Sequence, residues 1–219
     1  MQGLGRLISI DERDLEHPIE AELPKRLPPR RYRYWNHNGW WGNQGKTSQC
    51  VAYAWIHWLE DAPIMYTADG SIINPAHLYS MCQDNDEWIE KEPEMQGTSI
   101  RAGAKVLQEL GYIGEYTWGF DLESLVNAVL TKSPVVVGTD WFSGMFEPNS
   151  SGLIKATGTF EGGHGYVVNG VNRDKRLFRI KNSWGRKWAK NGYAYISFDD
   201  MEKLILNLGE ICYAKELKK

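Results

Sequence analysis

Four residues in one order could together cleave an amide: Gln44, Cys50, His164 and Asn182. Cys50 follows the loop Asn43-Gln44-Gly45-Lys46-Thr47-Ser48-Gln49 and opens a helical stretch. At a helix N-terminus the free N–H groups stabilise a thiolate, so the pKa there should fall and the sulfur become a nucleophile. Gln44, six residues earlier, could turn its amide toward the same point. The string Gly162-Gly163-His164-Gly165-Tyr166-Val167-Val168 puts His164 at the start of a strand, between neighbours too small to shield one side. That imidazole could accept the thiol proton and later give it to a leaving amine. In Lys181-Asn182-Ser183-Trp184-Gly185, Asn182 could hold the imidazole in one tautomer and Trp184 could keep water off their bond. Each string alone has an ordinary structural alternative: a packed thiol, a core histidine, a turn after a strand. Their order, with a helix behind the cysteine and strands behind the others, makes the reading specific.

The elements that must carry these residues can be placed from local pattern. Cys50, Tyr53, Ala54, His57 and Trp58 recur at helical spacing and form one face. Asp69-Gly70, between Ile64 and Ile73, predicts a hairpin. Asn74-Pro75 reads as a cap and first turn of a helix running toward Cys82. Thr98 or Ser99 caps the next, with Ile100, Ala104, Leu107 and Leu110 ending at Gly111, and Asp121 caps another through Leu122, Leu125, Val126 and Val129. After Pro134 the chain turns to short β-forming runs at 135–137, 166–171, 177–180, 193–198 and 211–214. Helices first and strands second predict an α+β fold of two lobes: a helical lobe at about 40–133 and a β lobe at about 134–219, with a cleft between. Residues 1–39 read as a charged, proline-rich strap, acidic at Asp11, Glu12, Asp14 and Glu16 and basic from Lys25 to Arg33.

On these strings the sequence resembles the papain-like cysteine peptidases. In that family a glutamine also stands six residues before the nucleophile. The start of the central helix reads here Cys50-Val51-Ala52-Tyr53, and the Asn-Ser-Trp-Gly string reads Asn182 to Gly185, followed by Trp188 and Asn191-Gly192-Tyr193. Gly97-Thr98-Ser99 with Arg101 and Lys105 is similar to the bacterial and archaeal branches more than to plant or lysosomal ones, and a viral origin stays open. The resemblance spans residues 40–216. It implies a papain-like fold, with a helical left lobe, an antiparallel β-barrel-like right lobe and the active-site cleft between them. It also implies a peptide or protein substrate and a Cys50–His164–Asn182 triad working through a thioester. Gln44 and the Cys50 N–H would form an oxyanion hole. The region of Gly97 would lie along the substrate backbone, and Gly163 and Gly165 would border the substrate, Gly165 at the pocket for the second residue upstream of the cut. Two alternatives share the fold: acyl transfer to another amine on the same triad, and a binding module that has lost catalysis.

Departures from the family pattern are informative. The usual Cys-Gly-Ser-Cys is Thr47-Ser48-Gln49-Cys50, so a structural cysteine is missing and Ser48 and Gln49 could narrow the cleft. Cys50 lies 114 residues before His164 and 132 before Asn182, against about 130–150 in papain-like enzymes. Only 49 residues precede Cys50, short for a long inhibitory pro-segment, so the expectation is an enzyme active as made or one regulated by a strap at 10–33. Cys82 resembles a family disulfide position without its partner, and Cys212 has no evident mate. Both should be free thiols, which together with the lack of a signal-like run suggests a cytoplasmic protein.

Composition excludes other classes. Twenty-five Lys and Arg against 28 Asp and Glu give a net charge of −3, no basic surplus for nucleic acid. No run of 18 apolar residues predicts a membrane helix. His17, His37, His57 and His77 lack metal-ligand spacing, and His57 reads as a packing residue. Asp84-Asn85-Asp86-Glu87 lacks the glycine and glutamate of a calcium loop (Ile89 and Met95 stand there), so it reads as a solvated acidic loop. Neither a metal nor a cofactor is implied. Ten tryptophans require a broad buried seam or a binding surface.

Overall fold

Capping side chains and β-branched runs divide the chain. The computed structural model describes residues 2–37, 39–65, 73–86 and 96–217. In chain order the elements are β1 (Arg6–Leu7), β2 (Tyr32–Tyr34), α1 (Cys50–Glu60), α2 (Pro75–Asn85), β3 (Thr98–Ser99), α3 (Ile100–Glu109), β4 (Ile113–Gly119) and α4 (Leu122–Thr131). Then follow β5 (Val135–Phe142), β6 (Leu153–Ile154), β7 (Phe160–Asn172), β8 (Leu177–Lys181), β9 (Tyr193–Ser197), α5 (Phe198–Leu206) and β10 (Glu210–Glu216). The caps are chemical: Asn74 accepts from the N–H groups of Ala76 and His77, Ser99 from Ala102, Asp121 from Ser124 and Ser197 from Asp200. The hairpin expected around Asp69-Gly70 lies outside the described residues.

An eight-stranded sheet forms the body, in the order β4-β10-β5-β7-β8-β9-β6 with β2 also on β7. Every pair is antiparallel except β6 with β9. The spine is β7: β5 lies along its first part, β2 continues that edge over Gly170–Asn172, and β8 takes the opposite edge. Alternation separates the two faces. Val135, Val137, Tyr166 and Val168 enter one core with α4 and α5, while Val136 and Val167 enter the other with α1, α2 and α3. The result is an α+β fold with helices on both faces of a largely antiparallel sheet.

Several expectations change. Helix α1 is buried on every side but that of Tyr53, not along a single face, because it runs between the sheet and the other helices. Strand β4 belongs to the sheet although it lies in the helical half, and α5 follows β9 where only strand was expected. The acidic run is no solvated loop: Asp84 and Asn85 end α2, and buried Asp86 accepts from the hydroxyls of Thr98 and Ser99 at 2.6 and 2.7 Å. Glu87, Ile89 and Met95 lie outside the described residues. The described part of residues 1–39 is tied to the body: Ile19 and Trp35 enter the core, and Trp35 Nε1–H donates to the Val129 carbonyl. Buried Trp35, Trp55, Trp58, Trp118, Trp141 and Trp184 account for most of the tryptophan excess. Cys50, Cys82 and Cys212 are buried free thiols. No helix among the described residues is long and apolar enough to cross a membrane.

Candidate active site

The same alternation that sorts the core sets the polarity of the site. Near the start of β7, Gly165 lies against Val51 and Ile100 on the α1 side, and His164 lies against Trp141 and Trp184 on the other. A Cβ at Gly165 would stand 3.3 Å from side-chain atoms of both Val51 and Ile100, so glycine lets α1 approach the strand. The Gly165 N–H then donates to the Cys50 sulfur at 3.3 Å. Cys50, in the first turn of α1, is fully buried. Burial pushes its thiol up from 9.0 to about 12, against the opposing pull of the Gly165 and Val51 N–H groups and the Arg6 guanidinium. The low pKa expected at a helix start is outweighed here, because a thiolate sealed from water lacks solvation.

His164 is held between rings, with Trp141 edge-on at 4.7 Å and Trp184 at 4.9 Å. Its Nε2 lies 2.8 Å from Asn182 Oδ1, and that oxygen also accepts the Ser183 N–H at 2.7 Å. An oxygen that accepts from the backbone fixes the Asn182 amide, so His164 Nε2 carries the proton and Nδ1 the lone pair. Nδ1 has no hydrogen-bond partner among the described residues. Burial lowers the imidazole to about 4, opposed by the Asn182 bond. Trp41 Nε1–H donates to the Asn182 carbonyl, so the turn after β8 is pinned from a third side.

The loop before α1 is tied to the same turn. The Gln44 N–H donates to the Ser183 carbonyl at 2.8 Å, and Gln44 Oε1 accepts the Ser183 hydroxyl at 2.5 Å. Gln44 Nε2 donates to the Thr47 carbonyl at 2.6 Å, leaving one amide proton for another acceptor. His57 sits apart in the tryptophan-lined base, accepting from the Gly42 N–H at 3.1 Å and facing Trp40 and Trp41.

The loops around the thiol are covered by residues 3–6, which lie within the strap of residues 1–39 but before the stretch 10–33 considered as a regulator. The Gly3 N–H donates to Gly45 and its carbonyl accepts from Trp184 Nε1–H. The Gly5 N–H donates to the Gly163 carbonyl at 3.0 Å, and its carbonyl accepts from the Thr98 N–H at 3.0 Å. Arg6 and Leu7 then pair in parallel with Thr98 and Ser99 as β1 and β3. The approach demands glycine: a Cβ on Gly3 would fall 2.0 Å from the Thr47 carbonyl oxygen, and one on Gly5, whose φ is +145°, 2.3 Å from that of Ser48. Gly97 and Gly163 meet the same segment, with Cβ positions 2.6 Å from the Gly5 oxygen and 2.2 Å from the Arg6 oxygen.

All eight singled-out residues, Gln44, Cys50, Gly97, Gly163, His164, Gly165, Asn182 and Trp184, therefore lie against one another or against residues 3–6. Sequence reasoning missed that segment. Residues 3–6 carry no catalytic signature, and their partners lie 40 to 200 positions away. The Gly3-x-Gly5 alternation next to an arginine was the available signal. It also missed Ser183, which links Gln44 to Asn182, and Lys181, whose ammonium lies 2.6 Å from Asp61 with both side chains fully buried.

Residues 66–208 match the family model described as papain family cysteine protease, a span that includes His164 and Asn182 and begins after Gln44 and Cys50. An uncharacterized peptidase C1-like protein of Acanthamoeba polyphaga mimivirus is 24% identical over 195 residues, covering 69% of this chain and 62% of that protein. Procathepsin L of Rattus norvegicus is 35% identical over 129 residues, 53% of this chain and 36% of that protein. The alignments thus span less than two thirds of either relative's length. Among solved structures, xylellain, a cysteine protease from Xylella fastidiosa, superposes with a TM-score of 0.76 at 19% identity, over 99% of this chain and 97% of that one. Digestive procathepsin L 3 of Tenebrio molitor gives 0.64 at 13% identity, over 98% and 76%.

Proposed function

Because this chain belongs to the papain family of cysteine proteases, we propose that it is a cysteine-type peptidase that hydrolyses peptide bonds through Cys50, His164 and Asn182. The observation that carries the reading is the orientation of His164. Its Nε2 is committed to Asn182, so its lone pair is on Nδ1, the nitrogen left without a partner, while the next residue's N–H bonds the Cys50 sulfur.

In the proposed cycle His164 Nδ1 takes the Cys50 proton and the thiolate attacks the substrate carbonyl carbon. The negative charge formed on the carbonyl oxygen is met by the Cys50 N–H and the spare Gln44 amide proton, donors of a kind each worth about 10²–10³ in rate. Collapse breaks the C–N bond, and the amine leaves with the proton from His164. Water then gives a proton to His164, attacks the thioester and releases the acid, and the sulfur recovers its proton. Asn182 orients the imidazole, and Trp184 and Trp141 keep water from the His164–Asn182 bond. The cleft walls would come from the helical part at 40–133 and the β part at 134–219.

With residues 3–6 in the cleft the pair is at rest. The thiol lies near 12 and the imidazole near 4, so both are neutral at pH 7. Burial is the leading cause of both shifts, so displacement of the segment would bring the two values together and permit proton transfer.

The test is cleavage of an unfolded protein or a fluorogenic peptide by the intact chain and by its Cys50→Ala variant. Loss of all turnover in the variant is expected. Turnover that survives moves the nucleophile elsewhere. A native chain with no turnover, even after displacement of residues 3–6, would favour a binding module.

A further inference from the structure

Arg6 carries a charged side chain into a place where charge is expensive. Its side chain is fully buried, and its guanidinium field reaches the Cys50 thiol. Nε–H donates to Glu210 Oε2 at 2.7 Å, Nη2–H donates to the Leu208 carbonyl at 2.5 Å, and Nη1 lies 3.9 Å from Asp140 Oδ1. The socket is built for this depth. A Cβ at Gly138 would stand 2.8 Å from Ile100 Cγ1 and 2.9 Å from Arg6 Nε, so any larger residue there would fill it. Its parts come from three rigid elements: Ile100 opens α3, Gly138 and Asp140 lie on β5, and Glu210 opens β10.

The fit is incomplete. Arg6 uses one carboxylate oxygen. Glu210 Oε1 is buried without a hydrogen bond, although the Ser9 N–H is close enough to favour the charge. Arg6 Nη1 also lacks a hydrogen bond. When residues 3–9 leave, Ser9 and Arg6 leave together, and a largely buried carboxylate faces the cleft without the cation that bonded it, Arg101 reaching it through its field alone. Such a group strongly favours a compensating charge. The leaving segment also frees the Gly163 carbonyl and the Thr98 N–H, the two backbone groups that had held Gly5. An extended peptide bonded to those groups brings a side chain over the same socket.

We propose that the Glu210 socket is a specificity pocket for a basic side chain of the substrate, with arginine the preferred occupant and Arg6 its internal stand-in. The proposal rests on the peptidase reading and deepens it by naming a substrate class: peptides with arginine at the position that docks on Ile100, Gly138 and Glu210. Arginine is favoured over lysine because the socket offers a carboxylate and a carbonyl side by side, which matches a planar fork better than a single ammonium.

The test uses the full Arg6→Ala chain, in which Gly5→Val also lifts the segment, so that the socket and the backbone groups that held Gly5 are vacated and the catalytic groups are unchanged. Matched fluorogenic peptides carry arginine, citrulline or leucine at each position near the cut. Citrulline keeps the shape of arginine without its charge. At one position kcat/KM for arginine should exceed that for citrulline by about tenfold or more, the worth of a hydrogen bond to a charged group. Adding Glu210→Gln, which preserves volume, should bring the two peptides to within about twofold of each other through a fall in the arginine rate. Equal rates for arginine and citrulline in the Arg6→Ala chain, or a preference undiminished by Glu210→Gln, overturn the proposal and leave the peptidase reading standing. A second readout needs no turnover. Acetyl-arginine-amide at millimolar concentration should raise the melting temperature of the Arg6→Ala chain saturably, and the Glu210→Gln version should not respond. That result without any peptide cleavage would support the pocket and sink the peptidase reading, whereas its absence overturns the pocket directly.

Discussion

Gly5→Val should turn a resting thiol into a reactive one. The valine Cβ would lie 2.3 Å from the Ser48 carbonyl oxygen, a backbone atom that cannot swing aside, at a φ of +145° that side chains rarely adopt. The segment must therefore lift from the cleft, while Gln44, Cys50, His164 and Asn182 keep their residues. In the covered state burial holds Cys50 near 12 against 9.0 for a solvated thiol, a difference of about three pH units, or about a thousandfold in thiolate at neutral pH. A thiolate of lower pKa is a weaker nucleophile, with a Brønsted slope of about 0.4–0.5, which cuts the gain to no less than about 30-fold. Relief of steric cover adds to either bound. The assay is iodoacetamide alkylation at pH 7.5, quenched over time and read by peptide mass spectrometry at each cysteine. Cys82 and Cys212, the other two buried free thiols, serve as internal controls. If Gly5→Val folds with a normal circular dichroism spectrum and Cys50 labels no faster than in the native chain, the burial argument is refuted. Equal acceleration at all three cysteines would mean general loosening, and would refute it as well.

Two further outcomes follow from buried charge. Lys181→Met removes the cation bonded to buried Asp61 and leaves Asn169 as its side-chain hydrogen-bond partner, so urea unfolding should lose about 3–5 kcal/mol; Lys181→Met combined with Asp61→Leu should regain much of that, and a single-variant loss below about 1 kcal/mol would contradict the pairing. His164, near 4 when folded and 6.5 when unfolded, binds more protons in the unfolded state between those values. Its contribution to stability is therefore present above the unfolded pKa and declines as pH falls through the interval. Going from pH 7 to pH 5 should cost the native chain about 2 kcal/mol more than His164→Gln; parallel pH profiles for the two would show that the imidazole is not held neutral.

Legibility in the sequence followed the range of the interactions. The caps at Asn74, Ser99 and Asp121 act within three residues, so their helices could be read from neighbouring letters. Ser197 and Asp200 form the same kind of local signal, ahead of Phe198, Met201, Leu204 and Ile205 at helical spacing; α5 was hidden because the preceding strand Tyr193–Ser197 runs directly into it. Strand β4 was hidden for a different reason. Its partner β10 lies about 95 residues on, and nothing in Ile113–Gly119 itself demands a sheet. The site divides in the same way. Each reactive residue sits in a string with its own local pattern, whereas Arg6 and Glu210 stand 204 positions apart and neither predicts the other. The expected low pKa of Cys50 failed because helix position is local and solvent exclusion is not.

The segment over the thiol is part of the same chain, and that fixes the terms of competition for the cleft. A tethered ligand on a short linker meets its site at an effective concentration of about millimolar. A peptide in solution at micromolar levels therefore competes against an occupant some thousandfold more abundant locally, and its apparent KM rises by that occupancy. Each contact that residues 3–6 make with Gly45, Trp184, Gly163, Thr98 and Glu210 thus acts as a threshold on substrate concentration, and trimming any of them should lower the threshold without touching the chemistry.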